Sequence, residues 1–243
     1  MEKSIPRQTK IVVPPNQSRN RMIIGGVIGL AIIAAVIFIV ISLNNSSSQV
    51  AIGQYADLPQ ARLPDGGFVV GNPDAPVTII EFADYACAHC QEYLPTMNKF
   101  TEDYVKTGKA KFEYRILPTA GGETTAFVGN ILVCMEEQKA GSYWKAHDIL
   151  FQQAMAGNYG SQMLRDLAND LGVNYNDALT CSKNQTQVQT DVTLANQLNV
   201  HGTPAIRVRD ASGKASSLII DGQPYDTGGP SLDVLNRYMA QYQ

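Results

Sequence analysis

The sequence carries few charges and no excess of basic residues. Charged residues make up 17% of the 243 residues, and the net charge at pH 7 is −3. The first 21 residues hold five basic residues and one acidic residue, a net charge of +4, so the remainder carries −7. Because a mildly acidic chain without a basic stripe cannot neutralise a row of phosphates, nucleic-acid binding is excluded as its function.

Cysteine is also scarce, with four residues in the whole chain. Two of them form the CxxC motif Cys87–Cys90, while Cys134 and Cys181 stand alone. Gln91 follows the motif where a haem-attachment sequence has histidine, which excludes haem. A zinc site normally uses a second close cysteine pair, and the sequence has none.

The CxxC motif lies between an apolar run and a helical pattern. The run Val77–Ala83 predicts a buried central strand, so Cys87 would begin a helix. A helix start offers unpaired N–H groups and the positive end of the helix dipole, and both favour a thiolate at the first cysteine. Reversible dithiol–disulfide chemistry is therefore the leading interpretation, and a zinc site or an inert structural bridge is the alternative.

The segment from Met22 to Leu43 is 22 consecutive positions without a charge, and it is rich in Ile, Val, Ala and Leu. It matches the roughly 20 residues that a helix needs to cross a bilayer, and it exceeds the roughly 7 to 15 residues of a signal-peptide core. No A-x-A-like cleavage site or lipid-accepting cysteine lies close to its end. It predicts an uncleaved signal anchor, with the basic segment 1–21 in the cytoplasm and the rest of the chain outside.

An oxidising exterior makes a disulfide the default state of any well-placed cysteine pair. Four cysteines allow three connectivities, and pairing Cys87 with Cys90 leaves Cys134 with Cys181. Cys134 and Cys181 both lie in helical patterns without an adjacent basic residue, so we interpret this pair as a structural disulfide.

The exported part is long enough for one well-packed domain. Segment 44–67 is predicted to be a linker, because its polar start cannot bury apolar surface, and the domain is predicted to span 68–243. Lys111–Ile116 alternates strictly, which predicts a second strand with one buried face. Helical periodicity from about 123 to 199 precedes further strands at Ala205–Val208 and Leu218–Ile220 and a final helix. The sequence thus predicts an α/β fold with a helical insertion.

A second motif, Val200–Ala205, reads Val-His-Gly-Thr-Pro-Ala at the entry to the third strand. Its Pro204 cannot donate to a sheet ladder, and a cis peptide bond is the usual reason for such a proline. The CxxC after a strand with Glu81, the helical insertion and the Gly-Thr-Pro sequence together resemble a DsbA-like thioredoxin-fold thiol:disulfide oxidoreductase of the membrane-anchored bacterial type. The Gly71–Pro76 run adds to this resemblance, which covers roughly 68–243.

The resemblance implies a role for each motif residue. Cys87 would form the mixed disulfide with a substrate, and Cys90 would resolve it. His89 would stabilise the Cys87 thiolate, which makes the disulfide a stronger oxidant, unless it is only an exposed turn residue. Thr203 would present its backbone to an extended substrate chain, and Pro204, in the cis form, would lie against the disulfide.

Other polar residues near these motifs have less specific interpretations. Glu81 lies in an apolar strand, so we expect it to be neutral or paired and to relay a proton to Cys90; the alternative is a solvent-facing strand end. Asp84 is interpreted as a local cap. His147 is predicted to be a packed core residue, and whether His201 borders the active site stays open.

The resemblance implies a membrane-anchored enzyme that oxidises cysteine pairs in exported proteins. It would need no bound cofactor and no metal. Its partners would be exported cysteine-containing proteins and a membrane quinone-linked reoxidase of the DsbB or vitamin K epoxide reductase type. We expect a monomer, since segment 51–67 is too short to supply a dimerisation domain.

Two departures from the best-known oxidase leave the direction of electron flow open. Ala88 stands where a proline is usual, and Thr203 stands where an oxidase often has valine. Disulfide isomerases and reductases of the same fold also have threonine there, so an isomerase or reductase is the first alternative. A chaperone-like binding module with an idle disulfide is the second.

Overall fold

The computed structural model describes residues 53–225 and 228–242. Within these residues, no helix combines the length and apolarity needed to cross a bilayer. The predicted cytoplasmic segment 1–21 and signal anchor 22–43 lie outside the described residues. The remaining predictions about the domain can be compared with the structure.

Seven strands of the described chain form one sheet in the order β1-β2-β4-β3-β5-β6-β7. They are β1 Gln60–Arg62, β2 Phe68–Gly71, β3 Thr78–Ala83, β4 Lys111–Ile116, β5 Ala205–Arg209, β6 Ala215–Ile220 and β7 Gln223–Tyr225. Only β3 and β4 run parallel among these pairs, and helix α1, Ala88–Phe100, connects them. A parallel pair needs such a crossover connection, which confirms the predicted strand–helix–strand unit.

Five consecutive helices separate β4 from β5. The helices are α1 Ala88–Phe100, α2 Gly122–Gln138, α3 Ser142–Met155, α4 Ser161–Leu171, α5 Tyr175–Ser182, α6 Gln187–Gln197 and α7 Leu232–Met239, with a π-helical turn Thr101–Val105 after α1 and a 3₁₀ turn Ala240–Tyr242 after α7. The run from α2 to α6 confirms the predicted helical insertion in an α/β fold.

Strand β3 lies at the centre of the sheet and is buried on both faces. Because successive side chains of a strand point to opposite faces, Ile79 and Ala83 join the main core, whereas Ile80 and Phe82 join a smaller cluster under α6. Glu81 shares the face of Ile79 and Ala83. The alternation therefore directs a carboxyl group into the core that α1 covers.

The prediction that β4 has one buried face is wrong, because its polar side chains are buried as well. Arg115 and Glu113 are fully buried. Arg115 donates to Glu113 at 2.7 Å and to Asp191 of α6 at 2.9 Å, and it also binds Asp65. A buried charge is tolerated when it is paired, so this network allows an alternating strand to be covered on both sides.

The second part of the predicted linker 44–67 is folded against the domain. Strand β1 pairs with β2. Tyr55 is 1% exposed and packs on Trp144 with a ring separation of 4.8 Å. The N–H of Gly53 donates to Asp148 at 2.8 Å. The folded part therefore begins before Phe68, and a strand of three residues has too little periodicity to be predicted.

The predicted disulfide between Cys134 and Cys181 is present and joins α2 to α5, with Cα atoms 6.0 Å apart. The cross-link closes a loop of 47 residues. Its constraint on the unfolded chain is worth about 4 kcal/mol in the chain-entropy model. It therefore links the first and fourth helices of the insertion.

Candidate active site

The turn from β3 into α1 places Cys87 at the start of the helix. Cys87 is the N-cap residue of α1, and its carbonyl accepts the N–H of Gln91 at 3.0 Å. Cys87 is 7% exposed, whereas Cys90, one turn further on, is 0% exposed. Both sulfurs are free thiols. Of the two, Cys87 is therefore the sulfur that a substrate can reach.

The second motif forms a loop that faces Cys87. The Thr203–Pro204 peptide bond is cis, as predicted from the sequence. The Cys87 Sγ donates to the carbonyl oxygen of Thr203 at 3.5 Å. Pro204 itself is buried, whereas Thr203 is half-buried. The cis-proline loop thus brings a backbone acceptor to the reactive sulfur.

Cys90 lies in a strongly desolvated environment. Its burial raises its pKa well above the ordinary value of a thiol, and the charge of Glu81 acts in the same direction. Hydrogen bonds from the Asp84 backbone and from Thr203 oppose this shift without cancelling it. Cys90 is therefore a thiol when the pair is reduced, and it takes up a proton whenever its disulfide opens.

Glu81 is 3% exposed, so the alternative of a solvent-facing strand end is wrong. Loss of hydration raises the pKa of its carboxyl to about 8, which leaves the group mostly neutral at pH 7. The charge that Glu81 carries when ionised acts on the Cys90 sulfur and on Tyr93. A neutral carboxyl beside a buried thiol can supply or accept the proton that the thiol exchanges.

A cleft of about 360 Å³ adjoins the CxxC turn. Its walls come from α1, the cis-proline loop and the segment before α7, and its lining residues are His89, Glu92, Tyr93, Thr203, Pro204, Gly228 and Gly229. His89 is exposed there, so its predicted effect on the Cys87 thiolate stays a prediction. A Cβ on Gly229 would lie 2.5 Å from the Tyr93 ring, so only glycine lets this wall approach α1 so closely.

The two other histidines of the sequence differ in environment. His147 is buried among aromatic rings, 4.4 Å from that of Tyr114, and burial lowers its pKa to about 3. It is a neutral core residue, as predicted. His201 is exposed, and it is not among the residues that line the cleft.

Asp84 is more than the local cap that the sequence suggested. It is 0% exposed, and it accepts the N–H of Ala86 as a cap would. It also accepts the N–H groups of Thr119 and Gly121, which lie 35 and 37 residues further along the chain. Sequence reasoning missed these bonds because no local pattern marks the loop after β4 as a partner of Asp84.

One group of three potential metal ligands occurs in the described part of the chain, and it consists of Cys134, Glu137 and Cys181. Its two sulfurs are bonded to each other, so they form the structural bridge that the sequence predicted. The Glu137 carboxylate lies 3.5 Å from the Cys181 sulfur. This group lies on the insertion and does not include the CxxC pair.

A CxxC pair at a strand-to-helix turn, facing a cis-proline loop, defines the class of thioredoxin-fold thiol:disulfide oxidoreductases. A family model described as "Thioredoxin" matches residues 64–217, more than half of the chain, and the chain belongs to this family. Its relatives are of the DsbA type, so the protein is a DsbA-like thiol:disulfide oxidoreductase.

Three similar proteins illustrate this relationship. Disulfide bond formation protein D of Bacillus subtilis is 26% identical over 155 residues, which cover 58% of this chain and 67% of that protein. The crystal structure of oxidised BdbD from Bacillus subtilis matches with a TM-score of 0.55 and 22% identity, covering 72% of this chain and 91% of that chain. Wolbachia pipientis alpha-DsbA1 matches with a TM-score of 0.59 and 21% identity, covering 78% and 95%.

Proposed function

We propose that this oxidoreductase oxidises cysteine pairs in exported proteins through a Cys87–Cys90 disulfide. The observation that carries the proposal is the position of Cys87, the more exposed of the two active-site cysteines, at a helix N-terminus next to a cleft that can hold an extended chain. The name of the Bacillus relative, a disulfide bond formation protein, supports the direction of electron flow.

Each oxidation proceeds by two thiol–disulfide exchanges. A substrate thiolate attacks the Cys87 sulfur, a mixed disulfide forms, and the Cys87–Cys90 bond breaks with its electron pair on Cys90. The neutral Glu81 carboxyl supplies the proton that the buried Cys90 sulfur requires. A second substrate thiolate then attacks the substrate sulfur, forms the substrate disulfide and releases Cys87 as a thiolate. The substrate has lost two electrons, and the enzyme pair has gained them.

The reduced enzyme needs an electron acceptor before it can act again. We propose a membrane quinone-linked reoxidase of the DsbB or vitamin K epoxide reductase type, which would accept the two electrons through its own cysteines. The predicted anchor at 22–43 would hold the domain outside the membrane, close to this partner. Protease added to intact cells should then digest the domain and spare an N-terminal tag, and protection of the domain would contradict this placement.

A reductase or isomerase is the second candidate, because Thr203 precedes the cis proline and Ala88 follows Cys87. The reduction potential of the full chain, titrated against glutathione, separates the two directions. A reduction potential of about −120 mV supports the oxidase, whereas one of about −270 mV contradicts it and indicates a reductase. The name of the Bacillus subtilis relative, disulfide bond formation protein D, favours an enzyme over the non-catalytic binding module.

A further inference from the structure

A fully buried carboxylate lies three residues before the first cysteine of the active site. One oxygen of Asp84 accepts the N–H groups of Thr119 at 2.8 Å and Gly121 at 2.9 Å. Its other oxygen accepts the N–H of Ala86 at 2.9 Å and the hydroxyl of Thr125. These hydrogen bonds join residues on both sides of the carboxyl group, so Asp84 fastens the loop after β4 to the active-site turn.

This loop, residues 117–121, packs closely on the active-site turn. At Gly121 there is no room for a side chain. A Cβ on Gly121 would lie 2.9 Å from the Cβ of Ala86 and 3.2 Å from the Asp84 carboxylate. It would also lie 2.2 Å from the Thr125 hydroxyl. Both the close approach at Gly121 and the hydrogen bonds therefore indicate that Asp84 sets the position of loop 117–121.

Loop 117–121 also contacts the cis-proline loop. The hydroxyl groups of Thr119 and Thr203 lie 2.6 Å apart and share a hydrogen bond. Thr203 in turn accepts the Cys87 thiol, and the N–H of Cys87 donates to the carbonyl of Asp84 at 3.0 Å. These contacts form a closed ring of four residues, Asp84, Thr119, Thr203 and Cys87, from three separate parts of the chain.

We propose that Asp84 and Thr119 are positioning residues that orient Thr203 for the substrate chain. Asp84 holds Thr119 through its backbone N–H at 2.8 Å and through its hydroxyl at 3.4 Å, and the same hydroxyl fixes the rotamer and backbone of Thr203. The Thr203 backbone then faces Cys87 in the orientation that an extended substrate needs. This inference rests on thiol–disulfide exchange at Cys87 and is independent of the direction in which electrons flow.

The role predicts a selective effect on polypeptide substrates. A peptide dithiol lies along the Thr203 backbone during exchange, whereas a small thiol such as glutathione needs only the Cys87 sulfur. Loss of the Thr119 hydroxyl should therefore slow the peptide reaction and spare the small-thiol reaction. A residue that only stabilises the fold would lower the unfolding temperature and affect both reactions alike.

The test is a double-mutant cycle with Thr119→Val and Thr203→Val in the full chain. The rate of exchange between the oxidised protein and a reduced dithiol peptide is measured beside the rate with glutathione. Thr119→Val should slow the peptide reaction about three- to tenfold, equivalent to about 1 kcal/mol, with little change for glutathione. The slowing in the double variant should be smaller than the combined slowing of the two single variants, because the two changes share the Thr119–Thr203 hydrogen bond. Each change also removes one bond of its own, from Thr119 to Asp84 and from Thr203 to Cys90.

Thr124→Val is the matched control, since this exposed threonine follows the same loop and lies outside the ring. Equal rates for Thr119→Val and Thr124→Val, or additive effects in the cycle, would overturn the proposal. Asp84→Asn should produce the same selective loss with a larger amplitude, because an amide has only one accepting oxygen, so the donors on one side of Asp84 lose their acceptor. Should this variant fail to fold, the threonine cycle still decides whether the Thr119 hydroxyl positions Thr203. If Asp84→Asn folds but slows the peptide and glutathione equally, Asp84 is a structural anchor only.

Discussion

The sulfur of Cys87 donates to the carbonyl oxygen of Thr203 at 3.5 Å, although the two residues are 116 positions apart in the chain. One lies at the start of α1 and the other in the cis-proline loop before β5. Because β3 and β5 are neighbours in the sheet, the loops at their ends meet at one edge. This juxtaposition places a reactive thiol beside backbone groups that can bind a substrate chain.

The two active-site cysteines should behave differently when each is replaced by serine. Cys87→Ser should abolish exchange, because the buried Cys90 cannot reach a substrate sulfur. Cys90→Ser should instead trap mixed disulfides at Cys87, since the resolving thiol is missing. The probe is a peptide that contains a disulfide, because the Cys87 thiolate can attack it, form the mixed disulfide and release one peptide sulfur as a thiolate. Non-reducing gel electrophoresis measures both results. Covalent adducts on the Cys87→Ser protein would contradict the assignment.

Glu81 should make the domain less stable as the pH rises toward 8. Its pKa is about 8 in the folded protein, against the ordinary value of 4.5. Between these two pH values the folded state keeps a proton that the unfolded state has lost, so the free energy of unfolding falls as the pH rises toward 8. Between pH 6.5 and 8 the loss should be about 2 kcal/mol. Glu81→Gln should remove this slope in urea unfolding measured across that window.

Glu81 outweighs the other shifted groups in the window from pH 6.5 to 8. Burial raises the pKa values of Asp148 and Asp191 to about 6, so these two groups have largely finished titrating. Burial lowers the pKa of His147 from 6.5 to about 3, so its titration in the unfolded chain raises the stability by about 0.4 kcal/mol across the window, opposite in sign to Glu81. Glu92→Gln, an exposed change on α1, should leave the slope intact. An unchanged slope in Glu81→Gln would show that another group carries the pH dependence.

The Cys134–Cys181 disulfide should stabilise the domain without taking part in exchange. Replacing both cysteines by alanine should lower the free energy of unfolding by about 4 kcal/mol, since the unfolded chain regains the freedom of a long loop. Urea unfolding measures this loss, and the exchange rate of the folded protein at Cys87 should stay within about twofold. A large loss of exchange activity in the folded variant would assign this disulfide a role in the reaction.

The buried Arg115 offers a matched pair of variants. Asp191→Asn removes a buried partner, so the free energy of unfolding should fall by about 3 to 5 kcal/mol. Asp65→Asn removes a partner that is 38% exposed, and the loss should be about 1 kcal/mol or less. Thermal and urea unfolding of both variants check the difference. Equal losses would mean that burial does not determine the strength of these pairs.

The sequence predicted the elements whose signals are local. The apolar run of β3, the helical periodicity of the insertion and the proline at the entry to β5 each appear within a short window, and all three are confirmed. The pairing of Cys134 with Cys181 followed from the count of cysteines. The burial of both faces of β4 could not be predicted, because it depends on Asp191 and Asp65, far away in the chain.

The sequence by itself therefore determined the class of fold, the reactive pair and the structural disulfide, since each depends on residue type and short spacing. Only the tertiary structure decided how Glu81 and Asp84 are used. Their chemistry follows from burial and from partners such as Thr119 and Cys90, which folding brings together. A carboxyl group in a sequence carries no record of its hydration or of its partners. Burial raises the pKa of the Glu81 carboxyl, and hydrogen-bond donors from four residues surround that of Asp84.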